Sequence, residues 1–157
     1  MSARSTLYEI IRNWIDVEKY TEKEFGRLAD KADTLIAKNT FRWLSEAGKR
    51  HAEMLERVLT MISKDEKEML ISFQPVALPE VGAKSYKSNV EELYYGALEH
   101  LDLELEMAKV YEQLSRTIRA EEARCLLHEL SEEEESHHSA IKNLLQAFEA
   151  TYPFLRR

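Results

Sequence analysis

The run LSEEEESHHSAI, from Leu130 to Ile141, places a carboxylate, Glu134, three residues before an imidazole, His137. On a helix that spacing sets both side chains on one face, a turn apart, where they can reach a common ion. Oxygen and nitrogen donors in one set suit iron, with manganese as the second choice. Another imidazole, His51, lies in LSEAGKRHAEML, but there Gly48 holds the position three residues before it. Two single glutamates, Glu18 and Glu104, interrupt otherwise apolar stripes elsewhere in the chain. The candidate ligands are therefore Glu18, His51, Glu104, Glu134 and His137. His100, one turn before Glu104, and Glu22, one turn after Glu18, are additional candidates.

The elements that must position these residues follow from a 3.6-residue period. One stripe runs Leu7, Ile11, Trp14, Glu18, Phe25, Leu28, and a second runs Phe41, Leu44, Gly48, His51, Leu55, Val58, Ile62. A third reads Val90, Leu93, Ala97, His100, Glu104, Met107, Tyr111, Leu114, Ile118; the fourth reads Leu127, Leu130, Glu134, His137, Ile141, Leu144, Phe148. Each predicts a helix of about 25 to 30 residues, or ~37 to 45 Å. Short joints around Asp30–Asp33 and Arg116–Ala120 make two antiparallel hairpins. Pro75, Pro79 and Gly82 mark an extended connection over 72–88 that can run the length of a bundle. The expected architecture is all-α, a ferritin-like four-helix bundle in one domain: hairpin 5–63, crossover 64–88, hairpin 89–150 and a tail, 151–157. The tail is expected to dock on the crossover or on a neighbour.

The two hairpins repeat each other at an offset of 86. Leu7-Tyr8 maps to Leu93-Tyr94, Asp16 to Asp102, Glu18 to Glu104, Leu44-Ser45-Glu46 to Leu130-Ser131-Glu132 and His51 to His137, with Phe25 mapping to Tyr111. An internal duplication accounts for this. Each helix then aims polar groups or a glycine at the interior at the same depth. A buried lone carboxylate costs several kcal/mol, so these groups must be protonated, paired or bound to a cation. In the di-iron carboxylate bundles two helices give one Glu each and two give Glu-x-x-His. Glu18 and Glu104 fill the single-Glu roles, and Glu134 with His137 fills one Glu-x-x-His.

Gly48 breaks the other. Glycine inside a helix costs ~1 kcal/mol against alanine, so it is not neutral filler. Three readings stand: two ions bridged by one carboxylate, with a small ligand in the vacated space; one ion held mainly by Glu104, Glu134 and His137; or lost metal binding. Taken alone, Glu132–Glu135 reads as a solvated helix face and His100 as a satisfied core histidine. Tyr111 and Phe25 read as core aromatics, His138 as a surface residue and Cys125 as packed.

A formal charge of −7 argues against nucleic acid as partner. One cysteine excludes an internal disulfide or a four-cysteine centre, and no stretch approaches the ~20 apolar residues of a membrane span. A cytoplasmic protein is expected, with a homodimer as the default assembly.

Through VEKYTEKEF, LSEAGKRHAEML, LELEMAKVY and LSEEEESHHSAI the chain resembles the rubrerythrin and ferritin-like di-iron family over nearly its whole length. That resemblance implies a metal-bridging Glu where Gly48 stands and a further carboxylate where Leu101 stands. It implies a non-haem iron protein acting on peroxide or oxygen, or a ferritin-like protein that sequesters or delivers iron without turnover. A degenerate one-metal or metal-free scaffold is the remaining expectation. The family's rubredoxin-like domain needs four cysteines, so here an external electron donor is expected.

Overall fold

The computed structural model describes residues 3–156. Helices α1 (Leu7–Lys31) and α2 (Leu35–Met61) form the first hairpin. Short α3 (Lys64–Lys67) and strand β2 (Leu70–Ser72) begin the crossover, and α4 (Asn89–Thr117) and α5 (Glu121–Thr151) form the second hairpin. This is the ferritin-like all-α bundle of two hairpins. The starts are written locally: Thr6, Thr34, Ser63 and Ser88 each accept a hydrogen bond from the amide three residues on. At Thr6, Ser63 and Ser88 that third residue is Glu, the Ser/Thr-x-x-Glu signature of a helix start.

Two features depart from the expectation. Arg4–Thr6 forms a strand, β1, paired antiparallel with β2, so the first hairpin opens on extended chain and the crossover is not wholly irregular. The pairing gives backbone donors and acceptors at both segments a partner. The tail closes on its own bundle: a 3₁₀ turn, Pro153–Leu155, buries Leu155 with Phe25, Leu28, Phe41 and Leu93.

Midway, the crossover is anchored at Gly82, whose φ of +70° favours glycine. Its amide donates to Glu24 Oε1 at 2.6 Å, and Glu24 is paired with Arg27 at 3.0 Å.

The duplication is visible as repeated contacts. Ser45 Oγ donates to the Glu22 carbonyl and, 86 residues on, Ser131 Oγ donates to the Ala108 carbonyl, each at 2.7 Å. Trp14 meets Tyr111 edge-on, and their counterparts His100 and Phe25 also pack ring to ring, with centroids 4.3 Å apart.

Most important for function, the interior is two apolar clusters rather than one. The first gathers Leu7–Val17, Ala52–Ile62, Met107–Ile118 and Ala123–Leu130 positions; the second gathers Phe25–Ala32, Ala37–Leu44, Leu93–Ala97 and Ile141–Leu145 positions. On every long helix the candidate ligands fall in the interval between them.

Candidate metal centre

Glu18 from α1, His51 from α2, Glu104 from α4, and Glu134 and His137 from α5 are all brought together, each no more than 3% exposed. The Glu134 carboxyl lies at the middle: Oε1 is 2.7 Å from His51 Nδ1 and Oε2 is 3.1 Å from His137 Nδ1. Each histidine also faces its own hairpin's single glutamate, His51 Nδ1 at 3.4 Å from Glu18 and His137 Nδ1 at 3.7 Å from Glu104. The imidazoles stack, 5.2 Å apart and 14° from parallel. The result is two related half-sites, Glu18 with His51 and Glu104 with His137, spanned by one carboxyl.

Surrounding groups fix these side chains. Tyr111 donates its hydroxyl to Glu18 Oε1 at 2.6 Å. Glu133 Oε2 lies 2.7 Å from His51 Nε2. With Nε2–H donating to that carboxylate, Nδ1 is the nitrogen turned to the centre, an arrangement common behind metal-binding histidines.

Protons hold the site together when no cation is bound. Burial, then the charges of Glu104 and Glu18, push the Glu134 carboxyl well above the usual range. Burial pulls Glu104 the same way, but its interactions with Glu134 and with His137, whose Nδ1 lies 3.7 Å away, outweigh it and leave Glu104 lowered. For His51 burial lowers the value, and hydrogen bonding and charge from Glu18 and Glu133 more than reverse it. Glu104 Oε2 is nevertheless buried without a hydrogen-bond partner. An orphaned carboxylate oxygen beside two inward-facing imidazole nitrogens and a carboxyl raised by like charges is a donor set that fits a cation.

The linkage has a definite sign. A carboxyl raised in the folded state contributes stability that is full below its unfolded value of 4.5 and is lost as pH rises through the folded value. His51, also raised, loses its contribution in the same direction above 6.5. Buried His100, held below its usual value by burial, opposes this trend only below 6.5, so the metal-free protein is expected to melt at a lower temperature at about pH 8.5 than at about pH 6.5. Metal should protect most at the higher pH, because a cation competes with these protons. Thermal melts with and without chelator measure both; a metal-free melting temperature that climbs across that window contradicts the proton assignment.

The remaining candidates behave differently. His100 is buried, with its ring against Phe25 and Tyr20, but Nδ1 has no hydrogen-bond partner, so it is a core histidine that is not satisfied. Glu22 is half-buried and meets α2 through its carbonyl. Gly48 corrects the idea of a vacated space. A Cβ there would lie 3.0 Å from the Glu18 carbonyl oxygen, 3.0 Å from Thr21 Oγ1 and 3.1 Å from the Glu22 amide nitrogen, so α1 fills that side. His138 is half-buried and donates Nδ1–H to the Leu101 carbonyl, and Cys125 is exposed rather than packed.

Sequence reasoning missed Glu133, Tyr111's hydroxyl and Trp43, whose ring meets His137 edge-on at 4.9 Å. The 86-residue offset makes Phe25 the counterpart of Tyr111 and Glu104 the counterpart of Glu18, but nothing in that pairing shows that the Tyr111 hydroxyl reaches Glu18. Phe25 lacks the hydroxyl, which accords with Glu104 keeping an unpartnered oxygen.

Fold and site together define a ferritin-like bundle with a buried carboxylate–histidine cluster, a candidate metal centre. The rubrerythrin family model matches residues 9–145, and the chain belongs to that family. No curated protein and no solved structure matches it.

Proposed function

We propose that this protein is a non-haem iron oxidoreductase of the rubrerythrin type that reduces peroxide or oxygen with electrons from an external donor. The observation that carries this reading is the Glu134 carboxyl reaching both imidazole Nδ1 atoms between two equivalent half-sites. Two ions would be held, one by Glu18 and His51, the other by Glu104 and His137, with Glu134 shared. Bound there, iron supplies electrons for the reduction at a position that a redox-inert side chain could not.

The chain's own groups do the rest. Three carboxylates offset the charge of the ions, and the imidazoles add neutral nitrogen donors. The Tyr111 hydroxyl donates to Glu18 Oε1, the same oxygen that lies 3.4 Å from His51 Nδ1, and so fixes the orientation of that carboxylate at the centre. Apolar side chains above and below, among them Trp14, Leu55, Met107, Phe41 and Ile141, keep bulk water out.

A second reading has one specific observation in its favour. Ligand atoms of His51, Glu134 and His137 all lie within 4.8 Å of one another, close enough to gather one ion. Anomalous scattering from metal-loaded crystals at the iron and manganese edges separates the two, giving the number and identity of ions. Two iron sites and iron-dependent peroxide consumption with a supplied reductant are expected. A loaded protein that consumes neither peroxide nor oxygen with any reductant removes the oxidoreductase reading and leaves iron storage or delivery.

A further inference from the structure

The two half-sites share ligand types but not neighbours. At the 86-residue offset Trp14 pairs with His100 and Phe25 with Tyr111. The first half-site therefore has an indole and a phenol where the second has an imidazole and a plain benzene ring. Tyr111 fixes Glu18 through its hydroxyl, whereas Phe25 has no group to give Glu104, and Glu104 Oε2 is buried without a hydrogen-bond partner. One turn earlier on the same helix, His100 is 3% exposed and its Nδ1 is also without a partner.

Residues four apart are neighbours on a helix surface, and at that spacing two side chains of one helix can grip one ion. Burying an imidazole nitrogen unpaired costs stability, so native folds give such atoms a partner. Phe25 packs on the His100 ring with centroids 4.3 Å apart, and Tyr20 stacks on it at 5.9 Å and 20°. These contacts hold the ring but supply no hydrogen bond. Burial keeps this histidine below its usual value, and Glu104 is the strongest charge acting on it. It is neutral above pH 6.5, and with the proton on Nε2 its Nδ1 presents a lone pair. Trp14 also leaves Nε1 unpartnered, but an indole N–H has no lone pair to offer a cation.

We propose that His100 is a ligand, through Nδ1, of the ion held by Glu104 and His137. This rests on the reading of the centre as a metal site, and it makes the two ions unequal. Two imidazoles serve the ion beside Glu104, and one serves the ion beside Glu18. The competing arrangement is a water that links His100 to Glu104.

The test uses the full chain loaded with cobalt(II), which shifts the exchangeable ring N–H signal of each bound histidine far outside the ordinary proton spectrum. Wild type should show three such signals, from His51, His137 and His100, and His100→Phe should lose one. Titrated anaerobically with ferrous iron, His100→Phe should lose roughly tenfold or more in affinity for one ion and keep the other. His128→Gln, at an exposed position on α5, should match wild type in both measurements. Without metal, His100→Phe should melt no lower than wild type, because it removes a buried nitrogen that has no partner. Only two shifted signals in metal-loaded wild type, the pattern a linking water gives, overturn the proposal. So does a variant that melts lower yet binds iron as wild type does, since that marks a packing residue. If the variant does not fold, the wild-type spectrum decides by itself. Wild type that takes up neither cobalt nor iron instead sinks the metal reading of the centre.

Discussion

Glu134→Gln is expected to abolish metal capture and, at neutral and alkaline pH, to stabilise the metal-free fold. Both effects come from one carboxyl. Among the described residues its oxygens are the only groups that reach both imidazole Nδ1 atoms, so an amide removes a ligand from each half-site at once. Loss of even a supporting partner typically costs ~10- to 100-fold in metal affinity, and loss of a shared ligand should exceed that. Without metal, burial and the Glu104 and Glu18 charges hold this carboxyl protonated. Between its unfolded value of 4.5 and its raised folded value, one retained proton costs about 1.4 kcal/mol of stability per pH unit. Glutamine keeps an oxygen for His51 and an N–H for a neighbouring carboxylate, but has no proton to lose. The wild-type and variant melting curves should therefore diverge as pH rises, with the variant higher. Chelated samples melted across pH, and iron titrations at fixed pH, read the two effects separately. A variant that binds iron like wild type would show that Glu134 is not shared between the half-sites.

The sequence disclosed the bundle because its period is unbroken across four long segments, and disclosed the five central residues because they interrupt that period at one depth. Glu18 and Glu104 are ordinary surface residues taken singly; only the offset of 86, which also pairs His51 with His137, sets them in register. What stayed hidden depended on rotation and distance between helices. Four consecutive glutamates could not reveal that Glu133 turns toward α2 to hold His51 Nε2 while Glu134 turns inward. Trp43 lies on the solvent side of its helix pattern, and its contact with His137 exists only because α2 and α5 are neighbours. Pairing of Arg4–Thr6 with Leu70–Ser72 is a contact between three-residue segments, too short to show alternation.

Gly48 is where sequence and structure give opposite advice, and it carries the sharpest test. Family resemblance suggests that Gly48→Glu would restore a missing ligand. The packing predicts instead that it lowers stability by about 3 kcal/mol, through overpacking, without adding metal. A Cβ at this position meets backbone, the Glu18 carbonyl and the Glu22 amide, which cannot swing aside as a flexible side chain would. Moving α1 outward to admit it would also displace Glu18 from His51 and from Tyr111. Gly48→Ala separates the terms. Better helix propensity returns ~1 kcal/mol, overpacking costs ~1 to 3, and a net loss of about 1 kcal/mol is expected. Gly26→Ala is the control, because a Cβ there meets only Ser45 Oγ at 3.3 Å and should cost little or stabilise. At ~2 to 4 °C per kcal/mol for a chain of this size, the Glu variant should melt about 6 to 12 °C below wild type. If Gly48→Glu melts with wild type and takes up more iron, α1 yields readily. The glycine would then be a lost ligand rather than the condition for close approach of α1 and α2.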